Sequence, residues 1–172
     1  MPEFLGKKGQ FYLITSFILI AVAFTLVNSS RGFKPAASSF SFLNHNLEKE
    51  SALAINQALV DSSPVDSSYR AFFISFMGYS RTIDSQYSAA YVLNENGEST
   101  VYNGLQAPLH VGENGLTLQP NQNMTIPFSP KLTLDVDGTG YAAEFARDSV
   151  QLRILSMSVD QENKKVSMIE IG

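Results

Sequence analysis

Asp135, Asp137 and Glu144 are the carboxylates whose spacing comes nearest to chemistry in this chain. Asp135-Val136-Asp137-Gly138-Thr139-Gly140 sets oxygen ligands at alternate positions ahead of a glycine, as the opening of a calcium loop does. The pattern stops short, because Ala146 stands at the twelfth position, where such a loop needs a bidentate glutamate. A plain hairpin turn explains the same residues, so no metal is assigned, and a weak loop-edge calcium site is the most they offer. His45 and His110 are the only histidines, and neither has a second ligand type at metal spacing. Cysteine is absent, which removes thiolate metal sites, disulfides and cysteine nucleophiles together. No Gly-x-Ser-x-Gly is present, and Gly138 with Gly140 lacks the third glycine of a phosphate-cradling loop. Glu95 and Glu98 flank Gly97 and read as a solvated hairpin tip. The expectation is a protein with no catalytic residue and no cofactor.

The other legible chemistry is done to the chain. Lys7-Lys8-Gly9-Gln10 abuts an uncharged apolar run, residues 11–27. Its 17 residues make a helix of about 26 Å, the lower edge of what spans a hydrocarbon core. The lysines before the run place the N-terminus in the cytoplasm and everything beyond Asn28 outside, as a single-pass membrane protein. Thr15, Ser16, Ala21, Ala23 and Thr25 are the small or hydroxyl positions that let such helices approach one another.

The Lys7-Lys8-Gly9-Gln10 junction resembles the class III signal of archaeal type IV pilins and archaellins, over about the first 30 residues. The resemblance implies a leader of residues 1–9, cut between Gly9 and Gln10 by a prepilin-peptidase-like protease. It also implies an uncut apolar helix, residues 10–30, that packs with other pilin-like subunits in a cell-surface filament. Ile14 stands at the fifth mature position, where bacterial relatives and some archaeal ones carry Glu. Two other readings stay open. One is an uncleaved signal anchor; the other is a removable secretory signal cut after Ala21-Val22-Ala23, although Phe24, Leu26 and Val27 carry the hydrophobicity past that cut.

Beyond the first 27 residues there is enough chain for one domain with a true core. The whole chain carries a net charge of -4 and its leader one net positive, so the exported part is at about minus five. Nucleic acid is not an expected partner, since phosphate neutralisation needs a basic surface. Packing must supply the stability, and 12 Phe with 7 Tyr are the material for it.

The expected architecture is α+β. A joint over residues 31–39, rich in Ser with Gly32 and Pro35, separates the transmembrane helix from a head over residues 40–172. Phe40, Leu43, Leu47, Ala54, Ile55, Ala58 and Leu59 recur at helical spacing, with Glu50 and Ser51 denting the stripe and Pro64 ending it. A second amphipathic helix carries Phe72, Phe73, Phe76 and Met77, with Ser67 or Ser68 as its cap. From Gln86 the period falls to two, and short strands with turn clusters between them predict an antiparallel β-sandwich or Greek-key head. A bulge is expected between Ile154 and Met157, where Ile154 and Leu155 break the alternation. Recognition, if the head performs it, is expected at the loops 112–115 and 119–123. Asn28-Ser29-Ser30 and Asn123-Met124-Thr125 are glycosylation sequons, of which Asn123 is expected in an accessible turn. Cut free at Phe40, the head is expected to be a soluble monomer, with assembly resting on the anchor.

Overall fold

The computed structural model describes residues 36–112, 115–160 and 163–172, excluding the side chains of residues 36–38 and of Asp160. The leader and the apolar run lie outside these residues. Two helices come first: α1 (Ala36–Val60) and α2 (Val65–Ile83). Nine strands follow: β1 (Ser88–Glu95), β2 (Glu98–Gly104), β3 (Leu109–Val111), β4 (Leu116–Leu118), β5 (Asn123–Pro127), β6 (Lys131–Val136), β7 (Thr139–Glu144), β8 (Gln151–Asp160) and β9 (Asn163–Ile171). The fold is α+β with two antiparallel sheets, as expected.

Helix α1 begins inside the segment read as a joint. Its apolar stripe of Phe40, Leu43, Leu47, Ile55 and Ala58 is buried, whereas Leu59 is exposed. Ser51 does not break the stripe. It is fully buried on it and meets the Tyr69 hydroxyl at 3.0 Å. The helix ends in a Schellman turn: Ser63 N–H donates to Ala58 O and Ser62 N–H to Leu59 O, with Ser62 left-handed at φ 52. Ser67 and Ser68 do not cap α2. That helix starts at Val65 behind Pro64, where the fixed φ of proline suits a helix start, and Asp66 lies against the positive end of its dipole.

Sheet order is β5-β2-β1-β8-β9 in the larger sheet and β4-β3-β6-β7 in the smaller. One core joins the two helices to one face of the larger sheet, through Tyr69, Phe73, Tyr91, Leu93, Tyr102 and Ile154. The other joins the opposite face to the smaller sheet, through Ala90, Val92, Val101, Leu109, Leu134 and Leu155. The five-stranded sheet is thus a middle layer, which explains why β1 is buried almost without a break.

This layering removes the expected bulge in β8. Pairing of β8 with β1 runs without interruption from Ser88↔Met157 to Asn94↔Gln151. Ile154 points to the helices and Leu155 to the second sheet, so adjacent apolar residues need no slip. The β1–β2 and β6–β7 hairpins carry the residues their two-residue turns demand. Asn96-Gly97 and Asp137-Gly138 have positive φ throughout, at 54, 79, 55 and 76, which matches strand twist in a type I′ turn. Gly104 answers a different need, because a Cβ there would lie 2.5 Å from Ala89 O in the neighbouring strand.

Candidate functional site

Lys7, Lys8, Gly9, Gln10, Thr15, Ser16, Ala21, Ala23 and Thr25 all lie outside the described residues. Among the described residues no helix is long and apolar enough to cross a membrane.

The carboxylates of the calcium-like segment are not brought together. Asp135 Oδ1 accepts from Gly138 N–H within the turn, and Asp137 Oδ2 pairs with Lys164 Nζ at 3.2 Å. Glu144 sits opposite Lys131 at the far end of the β6–β7 hairpin, so a site shared by all three is ruled out by register. Among the described residues no three His, Asp or Glu side chains converge as a metal would require. His45 is exposed on α1. His110 is exposed on β3, and its Nδ1 meets Thr117 Oγ1 at 2.8 Å while that hydroxyl donates to Gly115 O. The ring thus links β3 to β4 beside their turn.

Glu95 is not simply a solvated tip. Partial burial pushes its carboxyl above the usual range, and the nearby Asp66 carboxylate adds to the rise, against a stabilising hydrogen bond from the Asp66 backbone.

Of the loops expected to recognise a partner, 112–115 reaches a groove of about 550 Å³ through Gly112, whereas 119–123 contributes nothing to its lining. The groove lies between the smaller sheet, at Val111, Leu116, Lys131 and Leu132, and β5 of the larger sheet, at Ile126 and Pro127. Leu116 is 41% exposed. The lining mixes apolar side chains with Ser129, Thr133 and one cation, Lys131.

Asn103, at the end of β2, organises this region and was invisible in the sequence beyond marking a strand end before Gly104. It is fully buried, and its Nδ2 donates to Ala107 O and Leu118 O, both at 3.0 Å. Its Oδ1 accepts from Leu105 N–H at 3.0 Å. Its backbone holds the 119–123 loop, donating to Gln122 O and accepting from Asn121 N–H. One side chain therefore ties together β2, the following loop and β4. Asn103→Ala strands the buried Leu118 carbonyl, the half-buried Ala107 carbonyl and the Leu105 amide, and is expected to cost roughly 3 kcal/mol in urea unfolding. Hydrogen exchange should accelerate first at Leu105. A loss below about 0.5 kcal/mol would mean the loops hold themselves.

Asn123 is not in a turn. It is the exposed first residue of β5, paired with Tyr102 at an edge of the larger sheet, and the Thr125 hydroxyl of its sequon meets that of Thr100 at 3.3 Å. No protein-family model, curated protein or solved structure matches this chain.

Proposed function

We propose that the chain is a pilin-like structural subunit, of the minor kind, in an archaeal type IV pilus-like surface filament. The observation that carries this reading is the Lys7-Lys8-Gly9-Gln10 junction abutting an apolar run of helix length, followed by a β-rich head. A prepilin-peptidase-like protease removes residues 1–9. Residues 10–30 then span the membrane and pack with other pilin-like subunits through Thr15, Ser16, Ala21, Ala23 and Thr25. The head works outside the cell as structure, without catalysis or cofactor, and Asn123 offers it a glycosylation site. The layered fold suits that role, because two cores make the head stiff and self-sufficient.

Mass spectrometry of the chain from native membranes should find Gln10 as its first residue, and Gly9→Phe should leave the leader attached. A first residue at Phe24 would show secretory processing and overturn the proposal.

A second reading, a monomeric anchored binding or adhesion module, is favoured by the groove beside Gly112 and Leu116. Labelling of the chain within surface filaments in electron micrographs decides for the subunit.

A further inference from the structure

Strand β9 closes one side of the larger sheet, and no described strand pairs with its outer edge. Such an edge is a template for another strand unless it is short, bulged, interrupted by proline or guarded by charges, and the charges that β9 carries, Lys164, Lys165 and Glu170, are of both signs. The other edge of that sheet, β5, is five residues long and ends in Pro127. In the smaller sheet the edges are β4, with three residues, and β7, with six. By contrast β9 has nine residues, without proline or glycine, in unbroken register with β8. Beside it runs a groove of about 490 Å³ between α1 and the strand, walled by Phe40, Asn44, His45 and Glu48 on one side and by Ser167 and Ile169 on the other.

We propose that this edge binds a second copy of the same chain, β9 against β9, antiparallel about a two-fold axis at Ser167. The larger sheets of two copies then become one continuous sheet of ten strands.

Charge complementarity selects this occupant. Residues facing each other in a continuous antiparallel sheet share a face, so two position numbers in a symmetric pair must have the same parity. The register centred on Ser167 sets Lys164 against Glu170 of the second copy and Val166 against Met168, twice over by symmetry. All four lie on the face toward the smaller sheet, where Val166 and Met168 already join its core. An apolar centre is thus flanked by opposite charges at both ends. Moving the centre to Val166 sets Lys164 against Met168, and moving it to Met168 sets Glu170 against Val166, so each neighbouring register loses both ion pairs. On the helix side, the incoming strand brings Lys165 into a groove that already holds Glu48. Backbone groups agree as well: with equal parity, residues turning N–H and C=O outward meet residues that do the same.

Lys164 and Glu170 already have partners within one copy, Asp137 at 3.2 Å and Arg153 at 3.8 Å. Lys164–Asp137 is a surface pair of little worth alone, Glu170 is exposed although Arg153 is buried, and an ammonium or a carboxylate serves two partners at once. Two strands bury less than the ~1,600 Å² of a standard interface, so the contact is weak in dilute solution and forms where copies are held close. It gives the head a part in assembly, where the sequence suggested that the head alone is a monomer. The inference does not rest on the filament reading.

The absence of cysteine makes the test clean. Ser167→Cys in the full chain, kept in detergent micelles and mildly oxidised, places two thiols opposite each other at the axis. The paired Cα atoms then stand about 4.5 to 5.5 Å apart, within disulfide reach. Lys165→Cys is the control, because its two copies stand about 14 Å apart along the strand. The expected result is at least about tenfold more covalent dimer from the first variant than from the second. Mixing Lys165→Cys with Ile169→Cys chains should restore it. Lys164→Glu in the Ser167→Cys chain should lower the yield several-fold, and adding Glu170→Lys should recover it, with circular dichroism confirming that each variant is folded. Equal dimer from Ser167→Cys and Lys165→Cys overturns the pairing, and a folded Lys164→Glu chain with undiminished dimer overturns its register.

Discussion

Phe73→Ala is expected to lower the stability of the folded head by about 4 kcal/mol, the cost of deleting a large buried ring whose neighbours cannot collapse into the space. Phe73 is fully buried and meets Tyr91 edge-on at a centroid distance of 4.9 Å and Tyr102 at 5.7 Å, with Tyr69 tilted against it at 6.1 Å. Below it, the Gly104 backbone leaves no wall that can move inward, since the neighbouring strand is already in contact there. Each aromatic pair adds about 0.5 to 1.5 kcal/mol beyond area burial, so the loss should fall toward the upper part of the usual range. In thermal unfolding this amounts to a fall of about 15 °C. Phe42→Ala is the comparison, because Phe42 is 50% exposed and its loss should stay within about 0.5 kcal/mol. Similar melting curves for the two variants would show that the ring cluster does not hold the helices on the sheet.

Alkali should unfold the head steeply above pH 10. Tyr69, Tyr87 and Tyr91 are fully buried, and burial raises each hydroxyl well above its ordinary value of about 10. Tyr87 keeps its proton in a hydrogen bond to Asn44 Oδ1 at 2.8 Å, and the Tyr69 hydroxyl meets Ser51 Oγ. The folded state therefore holds three protons that the unfolded chain releases near pH 10. Stability from this source is fully present below pH 10 and is lost as pH rises beyond it, by about 4 kcal/mol per pH unit for three groups. Urea midpoints measured at successive pH values test the slope, and phenolate absorbance of these tyrosines should appear together with unfolding. Tyr91→Phe isolates one contribution. The Tyr91 hydroxyl is buried with no hydrogen-bond partner among the described residues, so its removal should leave stability at neutral pH within about 0.5 kcal/mol. The alkaline slope should fall by a third. Stability that stays flat to pH 11 would mean that water reaches these rings.

Local rules made much of the head legible. Leu43 and Leu47 announced a helical face through their spacing, and Asn96-Gly97 and Asp137-Gly138 announced hairpins because few other residues accept positive φ at both positions. Strands at 109–111 and 116–118 followed from turn residues on either side. The errors came from groups whose role depends on what lies opposite. Ser51 looked like a break in an apolar stripe and is instead a buried partner of Tyr69, because a hydroxyl is tolerated inside wherever a second hydroxyl meets it. Glu144 looked close to Asp135 along the chain, and strand register carries it to the other end of a hairpin.

By itself, the sequence determined the elements, since backbone geometry, apolar period and turn conformation act over a few residues. It also settled the absence of cysteine and the acidic balance. Only the tertiary structure decided that β8 returns to lie between β1 and β9, and that helices and a second sheet cover opposite faces of the larger sheet. Partner choice between distant strands depends on which apolar faces find each other, and Ile154 beside Leu155 reads as a broken alternation until both faces are known to be buried. The same holds for Asn103, whose three side-chain hydrogen bonds join segments up to 15 residues away, and for the β9 edge, which exists only once the order of strands is set.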